Sequence, residues 1–153
     1  MGRWLVFGLI CFLSCKAQKD NHKPVGEPIN DLALVDHDDF STVTEYEVRV
    51  IRDQKSLQKF YSKINMTRKP GLPVPMVDFS KDMLILVCLG EQQRKVEPVL
   101  SKLLETASSF QIALQLIEKE QVEKTTVQPI HYPFYLFEMP ILDKSIDFQK
   151  AEN

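Results

Sequence analysis

The sequence predicts an α+β fold, an antiparallel β-sheet of about five strands with one amphipathic helix packed on it. Three observations carry that expectation. Tyr46, Val48 and Val50, and again Phe110, Ile112, Leu114 and Leu116, alternate with polar or small residues at the period of a half-buried strand. Leu57, Phe60, Tyr61 and Ile64 recur at the i, i+3, i+4, i+7 spacing that paints one face of a helix. Between these segments, Met83 to Leu89 is apolar throughout, as a central strand covered on both faces must be.

Taken in chain order, period-two patterning begins at Glu45, and Asp53 then stands where a helix N-cap is needed. The helix that follows turns Gln54, Lys55, Lys59 and Lys63 outward. Pro70, Gly71, Pro73 and Pro75 make 65–82 an irregular loop that ends near Val77-Asp78-Phe79-Ser80. Gly90 closes the apolar strand. A further strand is expected over 96–104, although the pair Leu103-Leu104 blurs its alternation. Residues 118–128 form a charged connection to a last strand, Phe134 to Ile141, and the prolines at 133 and 140 favour an edge position for it. The domain is thus expected over 45–142, with a polar tail at 143–153.

A chain of 153 residues, 44% hydrophobic and 26% charged, has room for one ordinary globular domain and a targeting segment. The net charge of −2, with lysines and glutamates interspersed, gives no electrostatic basis for binding nucleic acid.

Residues 1–14 read as a lipoprotein signal peptide. A basic start at Arg3 precedes the uncharged run from Trp4 to Leu13, which is too short to span a bilayer but suits a signal-peptide core. Phe12-Leu13-Ser14-Cys15 resembles the lipobox of bacterial lipoproteins, in which the cysteine thiol takes the lipid before cleavage in front of it. Phe12 stands where leucine is usual. Cys15 is therefore the expected lipid-modified residue and the membrane anchor, with cleavage behind Ala17 and secretion as the alternative. Lys16, in place of an aspartate, favours the outer over the inner membrane of the cell envelope. Residues 15–44 read as a flexible tether, its first half broken by Pro24, Gly26 and Pro28. Asp36-His37-Asp38-Asp39 within it lacks the alternate-residue spacing of a calcium loop and reads as solvated.

The chain contains no glycine-rich phosphate loop, paired-cysteine metal motif or nucleophile elbow, so no cofactor, metal or catalytic residue is expected. Of the histidines at 22, 37 and 131, only His131 falls within the expected domain, and it reads as a surface or capping residue. Asp78 is placed to cap a turn, and Cys88 reads as a small buried hydrophobe. An enzyme using Asp78 or His131 is the weaker alternative.

From Tyr46 onward the order of features resembles the C-terminal domain of the PrcB family, lipoproteins associated with a surface protease complex. The resemblance rests on the strand-then-helix start from Val48 to Ile64 and on Val77-Asp78-Phe79-Ser80-Lys81-Asp82-Met83. It continues through the strand ending Leu89-Gly90-Glu91 and the late Pro133-Phe134-Tyr135-Leu136 with Met139-Pro140. The family's glycine pair and tyrosine after the Gly-Glu turn are missing, since Gln92 to Pro98 contains no glycine. The resemblance implies a non-catalytic binding or assembly module that stabilises another exported protein, of protease type. The alternative is an inhibitor-like or small-ligand-binding domain that presents the 65–76 loop.

Overall fold

A computed structural model describes residues 25–119 and 129–151. The chain runs β1 (Glu27–Pro28), β2 (Ala33–Asp38), β3 (Tyr46–Ile51), α1 (Gln54–Ile64), β4 (Asp82–Leu89), β5 (Val96–Glu105), β6 (Ser109–Glu118), β7 (Phe134–Pro140) and β8 (Ser145–Lys150). One helix beside a mostly antiparallel β framework is the α+β class that the sequence predicts. The single sheet of about five strands is corrected to two sheets of four, ordered β2-β7-β4-β3 and β1-β5-β6-β8, and β8 joins β6 in parallel.

The layers follow from the side-chain pattern of β4. Successive residues of a strand point to opposite faces, and both faces of β4 are apolar. Met83, Ile85, Val87 and Leu89 pack with Leu100, Phe110, Ile112 and Leu114 of the second sheet. Leu84, Leu86 and Cys88 pack with Leu57, Phe60, Tyr61 and Ile64 of the helix. The β2-β7-β4-β3 sheet is thus the middle layer, with α1 on one side and the second sheet on the other.

The helix forms where its stripe predicts. Asp53 is extended at φ −152° and its carboxylate accepts from the Ser56 N–H at 2.8 Å, satisfying one of the orphan donors of the first turn. In β5 the register shifts between Lys102 and Leu104, so Leu103 is an extra residue. That bulge is the physical origin of the blurred Leu103-Leu104 pattern.

Three further expectations are corrected. Residues 25–44 are not tether throughout, because β1 pairs with β5 and β2 pairs with β7. The polar tail contains β8, whose Ile146 and Phe148 pack against the inter-sheet core while Asp147 and Gln149 are exposed. The strand bracketed by prolines is not an edge, since β7 lies between β2 and β4. Pro133 precedes it and Pro140 is its last residue, so neither interrupts the middle of the ladder. The leader and Cys15 lie outside the described residues.

Candidate functional site

The 36–39 segment is not a solvated loop. Asp36 and Asp38 are on β2 and their carboxylates are engaged on the helix side of the sheet: Tyr61 Oη donates to Asp36, and Arg68 donates to Asp38, with one bond at 3.1 Å. Arg68 also donates to the Phe40 carbonyl. Partial burial acts to raise the Asp38 pKa, but the hydrogen bonds from Arg68 and from the Phe40 N–H, with the guanidinium charge, hold it below the ordinary value. These contacts bind β2 to the helix and to the loop behind it.

The loop at 65–81 is held at several points. The Asn65 side chain accepts from Leu72 N–H at 2.8 Å and donates to the Leu72 carbonyl at 2.9 Å. A Cβ at Gly71 would lie 3.0 Å from the Asn65 side chain, so the glycine leaves room for this clamp. Leu72, Val77 and Phe79 pack against the helix-side core. Between these anchors the loop displays apolar groups: Met66 is 76% and Met76 is 99% exposed.

Asp78 lies on the surface within this loop. Its carboxylate accepts from Ser80 N–H at 3.1 Å and from Ser80 Oγ at 2.5 Å, and pairs with Lys81 at 2.8 Å. The hydrogen bonds from Lys81 and Ser80 pull its pKa down to about 2, which makes it a weak base and a turn cap. Cys88 is fully buried under the helix, and burial, followed by the charge of Glu47, pushes its thiol up to about 12.

A second place of interest lies between the sheets, at the end where β2 finishes and β5 and β7 begin. A cavity of about 180 Å³ is lined by His37, Asp39, Lys95, Glu97, His131 and Tyr135, with Val96 and Lys119 completing it. The backbone assembles it. Tyr132 N–H donates to the Asp39 carbonyl at 2.9 Å and Ser41 N–H to the Tyr132 carbonyl at 2.8 Å. Gln92 and His131 exchange two backbone hydrogen bonds, of 2.9 and 3.0 Å. The His37 ring stacks on Tyr135 at 5.8 Å, and Tyr135 Oη donates to the Val96 carbonyl at 3.1 Å.

His131 is thus brought together with His37, which the sequence places almost a hundred residues away, while Asp78 is not among the groups that line this cavity. Among the described residues no three His, Cys, Asp or Glu side chains are grouped to hold a metal ion. His22 lies outside the described residues. No motif announces the convergence, because it depends on β2 pairing with β7 in the register His37 to Tyr135. No protein-family model, curated protein or solved structure matches the chain.

Proposed function

We propose that this protein is a non-catalytic, protein-binding lipoprotein, anchored in the cell envelope through lipid on Cys15 and docking a neighbouring exported protein with its 65–81 loop. The observation that carries this reading is the contrast within the loop. Asn65, Leu72, Val77 and Phe79 fix its path, while Met66 and Met76 stand exposed between them. Ordered backbone lowers the entropy lost on docking, and flexible methionines adapt to a partner's surface. The resemblance to PrcB-type lipoproteins supports a protease-complex protein as the partner. An Asp78 carboxylate with a pKa near 2, already bound by its neighbours, supports a non-catalytic role.

The lipid has a physical use in this reading. Nine residues lie between Cys15 and the first described residue, Val25, and even fully extended the chain from 15 to 25 spans at most roughly 35 Å. The domain therefore stays close to the membrane, where effective concentration compensates for modest affinity.

The test is a photo-crosslinking residue at Met76 in the full chain, expressed in its own cell envelope, with a second chain carrying it at Lys59 on the exposed face of α1. A discrete adduct from position 76, absent from position 59 and weakened in Cys15→Ala, is expected. Equal adducts from both positions, or a mature N-terminus without lipid by mass spectrometry, would overturn the reading.

A further inference from the structure

The cavity between the sheets has a pattern of charge that partner docking through the 65–81 loop does not use. Glu97 and Lys119 neutralise one another as an ion pair. Asp39 and Lys95 remain at the same cavity, and no side-chain hydrogen bond or ion pair of either is found among the described residues. One anion and one cation are thus left to face whatever enters.

His131 adds a directed polar group. It is only 7% exposed, and its Nδ1 lies 3.3 Å from the Pro129 carbonyl, an oxygen that can only accept. Nδ1 must then carry the proton for that bond, and in the neutral ring Nε2 is an acceptor. His131 is nine-tenths buried as a residue and lines the cavity, and no hydrogen bond of its Nε2 is found among the described residues. Tyr135 also lines the cavity. Burial, with the charges of Glu97 and Asp39, pushes its phenol up to about 12, consistent with both carboxylates facing it. Its hydroxyl is already given to Val96, so the ring offers an apolar surface.

We infer that this cavity binds a small zwitterion of free α-amino-acid type, its ammonium group held by Asp39 and His131 Nε2 and its carboxylate by Lys95. Size points the same way. At about 180 Å³ the space falls below the 300–1,000 Å³ of pockets that hold drug-sized ligands, and it suits a compound of a few heavy atoms. With Glu97 and Lys119 paired, a simple anion would still meet Asp39, and a simple cation would still meet Lys95. Only a ligand carrying both charges satisfies both sides.

The experiment is isothermal titration of the full chain with glycine, L-alanine, L-serine and L-valine. Propionate and n-propylamine serve as single-charge controls, and the His131 ring resonances are followed in parallel. At least one amino acid should bind saturably and shift those resonances, and each control should bind about tenfold or more weakly, the loss of one charge-assisted hydrogen bond. Lys95→Met and Asp39→Asn should each weaken amino-acid binding by a similar factor, with thermal unfolding confirming that both variants fold. Propionate or propylamine binding as well as the amino acids would overturn the inference. So would unchanged affinity in both variants, or no saturable binding by any of the four amino acids. Crosslinking from Met76 reads the loop and is unaffected by any of these results.

Discussion

The hydroxyl of Tyr61, on the buried face of α1, donates to the carboxylate of Asp36 on the edge strand β2. The bond ties the helix layer to the side of the sheet farthest along the β2-β7-β4-β3 order from β3, the strand that leads into the helix. Burial and then the carboxylate push the phenol pKa well above its ordinary value, so the proton stays on Tyr61. Tyr61→Phe keeps the ring in the core and strands the carboxylate. It should cost about 1.5–3 kcal/mol, the range for a hydrogen bond to a charged group. Urea unfolding should show a lower midpoint with unchanged slope. Adding Asp36→Ala to that variant should cost much less than in the parent chain, and strict additivity would refute the coupling.

The pair of Asp38 and Arg68 makes stability depend on acid. The folded-state pKa of Asp38 lies below its ordinary value, so the native state binds fewer protons than the unfolded state in that range. The stabilisation is present above the unfolded value and is lost as pH falls through the folded one. Asp38→Asn should therefore lower the urea midpoint at neutral pH by an amount equivalent to about 1–2 kcal/mol. The gap between parent and variant should close when the pH is taken below the ordinary carboxylate range. A gap that persists in acid would assign the loss to packing.

These two bonds also explain why β2 is hard to read. Its sequence, Ala33 to Asp38, has an acidic residue at every position turned toward the helix after the bulge, and so resembles a solvated linker. The groups that satisfy its carboxylates, the Tyr61 hydroxyl and the Arg68 guanidinium, lie 25 and 30 residues away. By contrast β4, β6 and α1 are legible because each carries its whole burial pattern within one short run. In β8 only Ile146 and Phe148 are apolar, and its parallel pairing with β6 is a tertiary fact that no local pattern encodes. The cavity shares this limit, since His37 and His131 meet only through the β2–β7 ladder. Among the residues proposed here to function, Cys15 is the one whose signal is local, in Leu13-Ser14-Cys15.

Gly90 turns the chain out of β4 with φ +69°, in the left-handed region. A Cβ there would lie 2.9 Å from the Thr44 carbonyl oxygen and 3.0 Å from Tyr46 N, both backbone atoms at the start of β3. Gly90→Ala should lose about 1–2 kcal/mol from the left-handed conformation alone, and more from the contact. Asn tolerates that conformation better than Ala but brings the same Cβ. Stability close to the parent in Gly90→Asn, measured by thermal unfolding, would show that conformation alone sets the cost.

Cys88 fills space between the middle sheet and α1, alongside Leu84, Leu86 and Phe134. Cys88→Ala should destabilise by about 1 kcal/mol through a small cavity, with Met76 crosslinking unchanged. A thiol pushed up to about 12 and fully buried should react with an aromatic disulfide reagent only as fast as the protein opens. Immediate labelling of the native protein would contradict the packing role.

Under the proposed docking role, two adjacent loop residues should separate stability from binding. Val77 packs against the helix-side core, whereas Met76 is 99% exposed and touches water on nearly all sides. Met76→Glu should change stability by no more than about 0.5 kcal/mol, as expected for a surface substitution remote from caps and ion pairs. The same change sets a charge into a surface that an apolar partner contact must desolvate, so binding should weaken sharply. Val77→Ala should do the reverse, costing stability while leaving the exposed methionines in place. The two variants are compared by urea unfolding and by recovery of the adduct from a crosslinker at Met66. Loss of the adduct in Met76→Glu with an unchanged midpoint is the expected pattern. Full adduct yield in Met76→Glu would remove the loop from the interface.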